Sequence, residues 1–556
     1  MLITLAVWIL LATLASVIGS ACLAGSAGTN PTERFVVAVW AGVGVLANLW
    51  LVAALGTALT PWVAAVVAAV AVGAALRLSQ LRLVWLENVR LRSPAALFSF
   101  TAVTVAAAVA VAPVTLIDTG IYHYPAMRWL AEYGVVKGTA LLDVQLGYAS
   151  TWFALFAPFT HGGMKTRTAA LGGGFALALW LTSAVLSGLR IVRGVGRTSD
   201  WFLVWATALG VGALSQVEGL LPSSSPDVPT AALIVTTAWV ILSGEQSPDG
   251  VRAGGQWATV LAGVAVGIKL TAAPLLLVAG WLDWRAAGYG RRAALGLAAI
   301  GGAALLPVTL ARVVASGCPL FPSKLFALSV PWRYEMNPWQ VADGTPRELT
   351  VAIRDQARWD WGALASPRYS DGPLNGLLDW RWLPDWPSHE PVAAALLAGG
   401  LSATLVMLTP PMRCLRVPGW GWMLALGWLG GAYVLTQAPS LRFGVGYFVI
   451  PPALGLAQVS AGLPRWSPIL PALGLAVLLP WPSAVPLVCP PRLTPTPVAL
   501  ENVNGMALYR PIPQPGVFPR CGDSPLPCGS NIDPTVRLRD PRRGVVAGFV
   551  RGCPPQ

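Results

Sequence analysis

Long apolar runs separated by short polar connections dominate the chain. A helix needs about 20 apolar residues to cross a hydrocarbon core of ~30 Å. By this criterion the sequence predicts membrane helices at residues 2–22, 36–57, 61–77, 94–115, 168–191, 201–217, 228–243, 293–315, 391–410, 419–437, 443–460 and 467–486. The first run has no basic stretch before it, which favours a membrane helix over a cleaved signal peptide.

One further apolar stretch, 257–284, is interrupted by Lys269 and then by Pro274. It is either one span or two short helices that turn at Lys269. Cytoplasmic loops are enriched in arginine and lysine, and the two-helix interpretation keeps all the following basic loops on the same side. The arginines used for this count are Arg77, Arg82, Arg90, Arg92, Arg190, Arg193, Arg197, Arg285, Arg291, Arg292, Arg413, Arg416 and Arg465.

The resulting topology has about fourteen membrane helical segments, with both termini outside. Extra helices at 1–93 precede a core at 94–315, which contains a first long outer loop at 116–167. A second outer loop at 316–390 is followed by the C-terminal membrane helices at 391–486. The outer tail, 487–556, is rich in Pro and Arg. Long segments cross a membrane largely regardless of charge, so its arginines do not change the topology.

Composition agrees with a multi-pass membrane protein. Of the 556 residues, 55% are hydrophobic and only 11% charged, against about 45–50% and about 25% in soluble proteins. The net charge of +13 is assigned to cytoplasmic loops and not to nucleic-acid binding. No spacing typical of a zinc site, a Walker loop or a Ser-His-Asp triad is present.

The segment 118–134 concentrates the candidate chemistry. It follows the apolar run 94–117 directly and holds Asp118, His123, Arg128 and Glu132. Two interpretations of Asp118 are open: a general base at the membrane surface, or a helix stop and N-cap. Arg128 and Glu132 have the spacing of a helical ion pair.

His123 and Tyr122 share this segment. The histidine could bind a phosphate or assist proton transfer, or it is a plain interfacial residue. Tyr122 could contact substrate, or it lies on the membrane surface as interfacial aromatic residues do.

Lys269 and Arg442 are the candidate phosphate-binding residues. Ionisable residues within membrane segments are costly and often functional, although Lys269 could also snorkel to the interface. Arg442, in Pro-Ser-Leu-Arg-Phe, begins a late helix. It could hold a phosphate bidentately or form a structural ion pair. Asp227 is a second acid for the same cavity or, in slight preference, a helix cap.

Cys521 and Cys528 are the only close pair of cysteines in a polar segment. The topology places them outside, where disulfides persist. We therefore predict a disulfide that closes a small loop around Asp523, the alternative being two free thiols.

The sequence motifs described above together resemble the GT-C superfamily of integral-membrane glycosyltransferases. The first outer loop of that superfamily begins with an acid after a membrane helix, as 118–134 does here. Gly-Ile-Lys-Leu-Thr at 267–271 and Pro-Ser-Leu-Arg-Phe at 439–443 resemble its later turns. Tyr-His-Tyr-Pro at 122–125, Ser-Ser-Pro-Asp at 224–227, 316–323, 441–444 and the cysteine loop 521–528 resemble more narrowly a poorly characterised bacterial family of multi-pass proteins.

The resemblance implies an all-α polytopic enzyme of a bacterial inner membrane. It would move a sugar, with inversion, from a polyprenyl-phosphate carrier to an unidentified glycan, lipid or protein acceptor on the extracytoplasmic face. Asp118 would be the base, and Lys269 and Arg442 would hold the carrier phosphate. No cofactor is expected. A divalent metal is the less favoured alternative, because Thr119 stands where many members of the resembled family have a second acid. The alternatives are a transporter or flippase for a lipid-linked or anionic substrate, and a non-catalytic scaffold.

Overall fold

The computed structural model describes residues 1–23, 30–78, 94–247, 250–335, 350, 353–354, 357–358, 380–410, 416–482, 485–514, 518–530, 532–533 and 535–552. Most of the predicted outer loop 316–390 lies outside the described residues. So do Arg82, Arg90, Arg92 and Arg413, which the charge count used.

Helices occupy the predicted apolar runs. In chain order they are α1 Leu2–Cys22, α2 Pro31–Ala54, α3 Pro61–Leu78, α4 Pro94–Ala110, α5 Tyr124–Glu132, α6 Thr151–Phe156, α7 Gly172–Val192, α8 Thr198–Leu214, α9 Asp227–Glu245, α10 Val251–Ile268, α11 Ala273–Ala286, α12 Arg291–Ser316, α13 Trp386–His389, α14 Pro391–Leu408, α15 Trp420–Gln437, α16 Leu441–Phe448, α17 Ile450–Ser460 and α18 Ile469–Leu478. Strands occur only in the tail of the described chain. The prediction of a mostly α-helical protein is confirmed.

Within the described chain, seven helical segments are long and apolar enough to cross a membrane. They are Leu2–Cys22, Pro31–Ala54, Thr168–Val192, Asp227–Glu245, Arg291–Ser316, Pro391–Leu408 and Leu441–Ser460. Three shorter apolar helices accompany them, at Pro61–Arg77, Ala95–Ala110 and Ile469–Leu478. A chain with this many apolar helices is a multi-pass membrane protein.

Close helix crossings hold the bundle together where small residues meet. A Cβ atom added to Gly19 of α1 would lie 1.8 Å from the carbonyl oxygen of Ala38 in α2, and one added to Gly42 would lie 1.8 Å from that of Ala15. Because apolar surface gains little from leaving lipid, such close backbone packing carries helix association in membranes. Larger side chains at either glycine would force α1 and α2 apart.

The break between α10 and α11 falls at Lys269, as the two-helix interpretation requires. Lys269 has extended backbone angles, and a 3₁₀ turn at Leu270–Ala272 leads into α11. The hydroxyl of Ser150 donates to the carbonyl of Ile268 at 2.8 Å. This bond satisfies a carbonyl at the α10 terminus, where no residue of the helix can donate to it.

The two ends of the bundle are built differently. At one end Arg190 pairs with Asp200 at 3.2 Å, and Arg285 pairs with Glu245 at 2.5 Å. At the other end the first outer loop meets helix termini: the amide of Val135 donates to the carbonyl of Ala54 at 2.7 Å. We call these the arginine-rich end and the site end.

The loop 116–167 is ordered by turns more than by long helices. A π-helical turn at Thr119–His123 runs directly into α5. Gly134 closes the motif with φ 79°, and a Cβ there would lie 2.5 Å from the Ala54 carbonyl oxygen, so only glycine fits. The second α-helix of this loop, α6, is a short one at Thr151–Phe156.

The tail contains two antiparallel hairpins that the sequence analysis did not predict. Strands β1 Val498–Val503 and β2 Met506–Pro511 pair, as do β3 Val536–Leu538 and β4 Phe549–Arg551. The predicted disulfide between Cys521 and Cys528 is present. The buried apolar residues of the described tail share one cluster with the first outer loop. The cluster includes Trp129 and Leu141 of the loop, Leu508 and Phe549 of the tail, and Phe321.

Candidate functional site

A cavity of about 550 Å³ opens at the site end. Its described lining holds four lysine or arginine side chains against two carboxylates, together with aromatic rings. A concave, partly apolar site with a few convergent polar groups is the usual form of a small-molecule pocket. The charged and aromatic lining residues used below are Asp118, Tyr122, Tyr148, Phe153, Lys269, Arg312, Phe321, Arg358, Glu390 and Arg442.

Asp118 and Arg442 form an ion pair in this cavity. They lie 324 positions apart, and Nη1 of Arg442 is 2.6 Å from Oδ2 of Asp118. The side chains are 20% and 18% exposed. Asp118 makes no side-chain capping bond to the turn that follows it, so its carboxylate is not an N-cap.

The position of Arg442 depends on the chain before α14. The amide of Leu441 donates to Oε2 of Glu390 at 3.1 Å, and the indole of Trp386 donates to the carbonyl of Pro439 at 2.7 Å. A carboxylate that accepts a free amide at a helix N-terminus stabilises that terminus. Glu390 therefore fixes the first turn of α16, from which Arg442 reaches the cavity.

The electrostatic state of Asp118 follows from its neighbours. Burial by itself raises the pKa of this carboxyl, but the charge of Arg442, its hydrogen bond and the charge of Lys269 hold the pKa below its ordinary value. An opposite charge in contact favours the ionised form. Asp118 is consequently a carboxylate at neutral pH, and a weak base for as long as Arg442 remains its partner.

Lys269 forms the second charged pair, with Asp227. Its ammonium also lies 3.9 Å from the centroid of the Phe443 ring, a cation–π contact. Asp227 is the first residue of α9 and lies outside the described lining of the cavity. One of its carboxylate oxygens contacts Lys269. Its other oxygen accepts from the hydroxyl of Ser225 at 3.0 Å.

Tyr122 and His123 occupy different positions although they are neighbours in sequence. Tyr122 lines the cavity, and its ring centroid is 5.8 Å from that of Tyr148. His123 is not in the cavity lining. It is 1% exposed, its Nδ1 lies 3.3 Å from the hydroxyl of Thr119, and its ring is 5.6 Å from that of Phe153. His123 thus lies behind the residues that line the cavity.

His123 gives a prediction about stability and pH. Burial lowers its pKa to about 4, while an unfolded histidine titrates near ~6.5. The unfolded state therefore binds more protons between these values, and stability falls as pH is lowered through that window, by roughly 3 kcal/mol in all.

We expect His123→Leu to lose less stability than the wild type when the pH is lowered from about 7.5 to about 5, measured as the thermal unfolding midpoint in detergent. His161→Leu, at a half-buried position, is the control and should follow the wild type. Equal losses in all three proteins would show that His123 is not linked to stability.

The sequence analysis missed Arg312, Glu390, Arg358 and Tyr148, which also line the cavity. A usable signal existed for Arg312, because it is the only charged residue within the predicted span 293–315. None existed for Tyr148, since nothing local distinguishes it from other aromatic residues of the loop.

A second depression lies at the arginine-rich end, beside Glu245, Arg416 and Trp420. Its charges are already engaged. Glu245 pairs with Arg285 at 2.5 Å, and Nε of Arg416 donates to the carbonyl of Met407 at 2.8 Å. Among the residues that the structure describes, no group of three or more His, Cys, Asp or Glu side chains is arranged to hold a metal ion.

Residues 1–449 match a protein family described as "Domain of unknown function (DUF8201)". The chain belongs to this family. No curated protein and no solved structure matches it. The matched part of this DUF8201 protein contains every charged residue of the cavity named above, and it stops before the disulfide-closed tail.

Proposed function

We propose that this DUF8201 protein is an inverting membrane glycosyltransferase of the GT-C type. It would take a sugar from a polyprenyl-phosphate carrier and transfer it to an acceptor outside the cytoplasm. The observation that carries the proposal is the convergence of Asp118, Lys269 and Arg442 on one cavity. Asp118 pairs with Arg442, and Lys269 pairs with Asp227, which lies outside the described lining. These residues come from four separate parts of the chain.

The proposed orientation puts the site end outside the cytoplasm of a bacterial inner membrane. The membrane part would comprise about fourteen helical segments, α1–α4, α7–α12, α14, α15, α16 with α17, and α18. Its support is the arginine-rich end, where Arg190, Arg285 and Arg465 lie, because cytoplasmic ends are enriched in such residues. The ammonium of Met1 donates to the carbonyl of Pro486 at 2.8 Å, as expected if both termini lie on one side.

The proposed reaction is an in-line displacement at the anomeric carbon. The acceptor hydroxyl or amine forms a bond to that carbon as the carbon–oxygen bond to phosphate breaks. The acceptor proton passes to Asp118, and the bonding electrons leave with the polyprenyl phosphate. Positive charge beside the departing phosphate lowers the barrier, because it stabilises charge that develops in the transition state. Lys269 and Arg442 would supply that charge.

The ion pairs explain how an acid with a lowered pKa can act as a base. A phosphate is a strong bidentate partner for a guanidinium, so a bound donor would draw Arg442 away from Asp118. Loss of that contact would raise the pKa of Asp118 just when the acceptor arrives. In this proposal Asp118 is a weak base while Arg442 is its partner, and it becomes a stronger base when the donor binds Arg442.

A transporter or flippase is the second candidate, and the helix break at Lys269 favours it. Interrupted helices that bind ions or anionic groups are typical of secondary transporters. The two functions differ in what happens to the donor, because a transporter returns it intact and a transferase does not.

Donor turnover in proteoliposomes tests the proposal. Protein supplied with a radiolabelled polyprenyl-phosphate-sugar and an envelope extract as acceptor should move label out of the lipid phase. Lys269→Met should lower that rate by about 10²–10³-fold, the usual loss when one charge-stabilising group is removed. Asp227→Asn in the same chain avoids leaving an unpaired buried acid.

Lys165→Met is the matched control, because Lys165 is 48% exposed and lies away from the cavity lining; it should equal the wild type. Label that crosses the bilayer but stays on the lipid would support the transporter instead. Label that never leaves the original leaflet or lipid, with any extract, would count against both functions.

A further inference from the structure

Arg312 is a cation of the cavity lining that forms none of the ion pairs described so far. It lies in the last turns of α12, is 4% exposed and lines the cavity. Its Nη2 donates to the carbonyl of Ala149 at 3.2 Å. Its Nε is buried and has no hydrogen-bond partner among the described residues.

Two other buried or half-buried cations of the described chain have carboxylate partners. Arg128 pairs with Glu132 at 2.8 Å, and Arg190 pairs with Asp200 at 3.2 Å. Arg312 has no carboxylate partner in the part of the chain that the structure describes. A buried charge without a counter-charge costs several kcal/mol, so a fold that keeps one at a cavity wall is arranged for an anion that comes from outside.

Arg312 stands beside the proposed phosphate site without sharing its partners. It holds the carbonyl of Ala149, and the next residue, Ser150, donates to the carbonyl of Ile268, immediately before Lys269. One short link thus connects the two cations. Both cations line the same cavity, so each can meet a different anionic group of one substrate.

We propose that Arg312 is a second anion-binding point, which takes a further oxyanion of the same substrate. The class of ligand is a donor with two phosphoryl groups, a polyprenyl-diphosphate-linked sugar, whose first phosphate lies at Lys269 and Arg442. This inference rests on the proposed function for the first phosphate. The planar guanidinium, with its fixed fork of donors, suits such a bidentate contact.

Binding measurements on the purified full-length protein in detergent test the inference, with farnesyl phosphate and farnesyl diphosphate as probes. Wild-type protein should bind the diphosphate at least about tenfold more tightly, since one charge-assisted hydrogen-bonded contact is worth that much. Arg312→Met should remove this preference and leave farnesyl phosphate binding within about twofold. Arg312→Lys should keep part of it.

A second measurement separates binding from a structural role. Replacing an uncompensated buried charge by an apolar side chain is often neutral or stabilising, so the unfolding midpoint of Arg312→Met without ligand should be unchanged or higher. A lower midpoint together with an unchanged diphosphate preference would overturn the proposal and make Arg312 a structural donor to Ala149.

The same variants identify the source of the second anion. If the wild type does not prefer the diphosphate but binds glucuronate 1-phosphate better than glucose 1-phosphate, and Arg312→Met removes that difference, Arg312 holds a sugar carboxylate. Absence of both preferences overturns the inference. Farnesyl phosphate binding that Lys269→Met does not weaken would instead count against the proposed function, whatever Arg312 does.

Discussion

Asp118→Asn is expected to lower the rate of sugar transfer by about 10²–10⁴-fold, the range for loss of a general base. The amide keeps the shape of the carboxylate and can still accept a hydrogen bond from Arg442, so the fold should survive. It cannot accept the acceptor's proton. Because Arg442 is then free of its ion pair, farnesyl phosphate should bind as tightly as before, or more tightly.

The matched control is Asp200→Asn at the arginine-rich end. Asp200 is buried and forms an Arg–Asp pair at 3.2 Å, and its partner Arg190 is 18% exposed, as Arg442 is. Loss of this pair should affect stability but not the chemical step. If Asp118→Asn transfers sugar at the wild-type rate while remaining folded, Asp118 is not the base and the mechanism proposed above is wrong.

Opening the disulfide is the second change with a large expected effect. Cys521 and Cys528 close a loop that lies against the turn after Asp118, where the amide of Gly522 donates to the carbonyl of Gly120 at 2.8 Å. Arg128 of α5 also donates to the carbonyl of Ser524 in this loop. The loop therefore supports the backbone that aims Asp118.

For a loop of this length, the chain-entropy model assigns a disulfide roughly 2–3 kcal/mol. We expect Cys521→Ser with Cys528→Ser to make the tail sensitive to protease. Transfer should fall by about tenfold or more, because a misplacement of ~1 Å at a reacting group can cost 10²-fold. Limited proteolysis and donor turnover on the same preparation measure the two effects.

Cys318→Ser is the control, since Cys318 is a buried free thiol. Added reductant should reproduce the double serine variant in the wild type and have no further effect on the variant. A wild-type protein that keeps full turnover when its disulfide is reduced would show that the loop does not position Asp118.

The positions of the helices could be predicted from sequence because a membrane imposes a strong rule. Backbone polar groups in lipid must be satisfied within the segment, so apolar length alone locates most helices. The break at Lys269 followed from a charge near the middle of an apolar run, a proline after it and the side on which later arginines fall. Each of these signals comes from a short stretch of sequence or from a count of arginines along the chain.

The rest of the site depends on contacts that sequence spacing does not encode. Asp118 meets Arg442 over 324 positions, and nothing in either segment specifies the other. Arg312 was not predicted as a site residue, because the apolar run around it predicts an ordinary membrane span. The tail strands were not predicted for another reason. No position of β1 is fully buried, and the buried Met506 and Leu508 of β2 pack against a loop, not against a second layer.

The family match and the core that the tail shares with the first outer loop end at different points along the chain. Sequence similarity draws the family boundary at residue 449, between α16 and α17. The buried residues do not divide at residue 449, because Trp129 and Leu141 belong to the same buried cluster as Leu508 and Phe549 of the tail. A chain that ended at residue 449 would keep every charged residue of the cavity. It would lose the tail residues that pack against the loop on which Asp118 lies. In this protein the stretch that matches the family is shorter than the stretch that shares buried contacts.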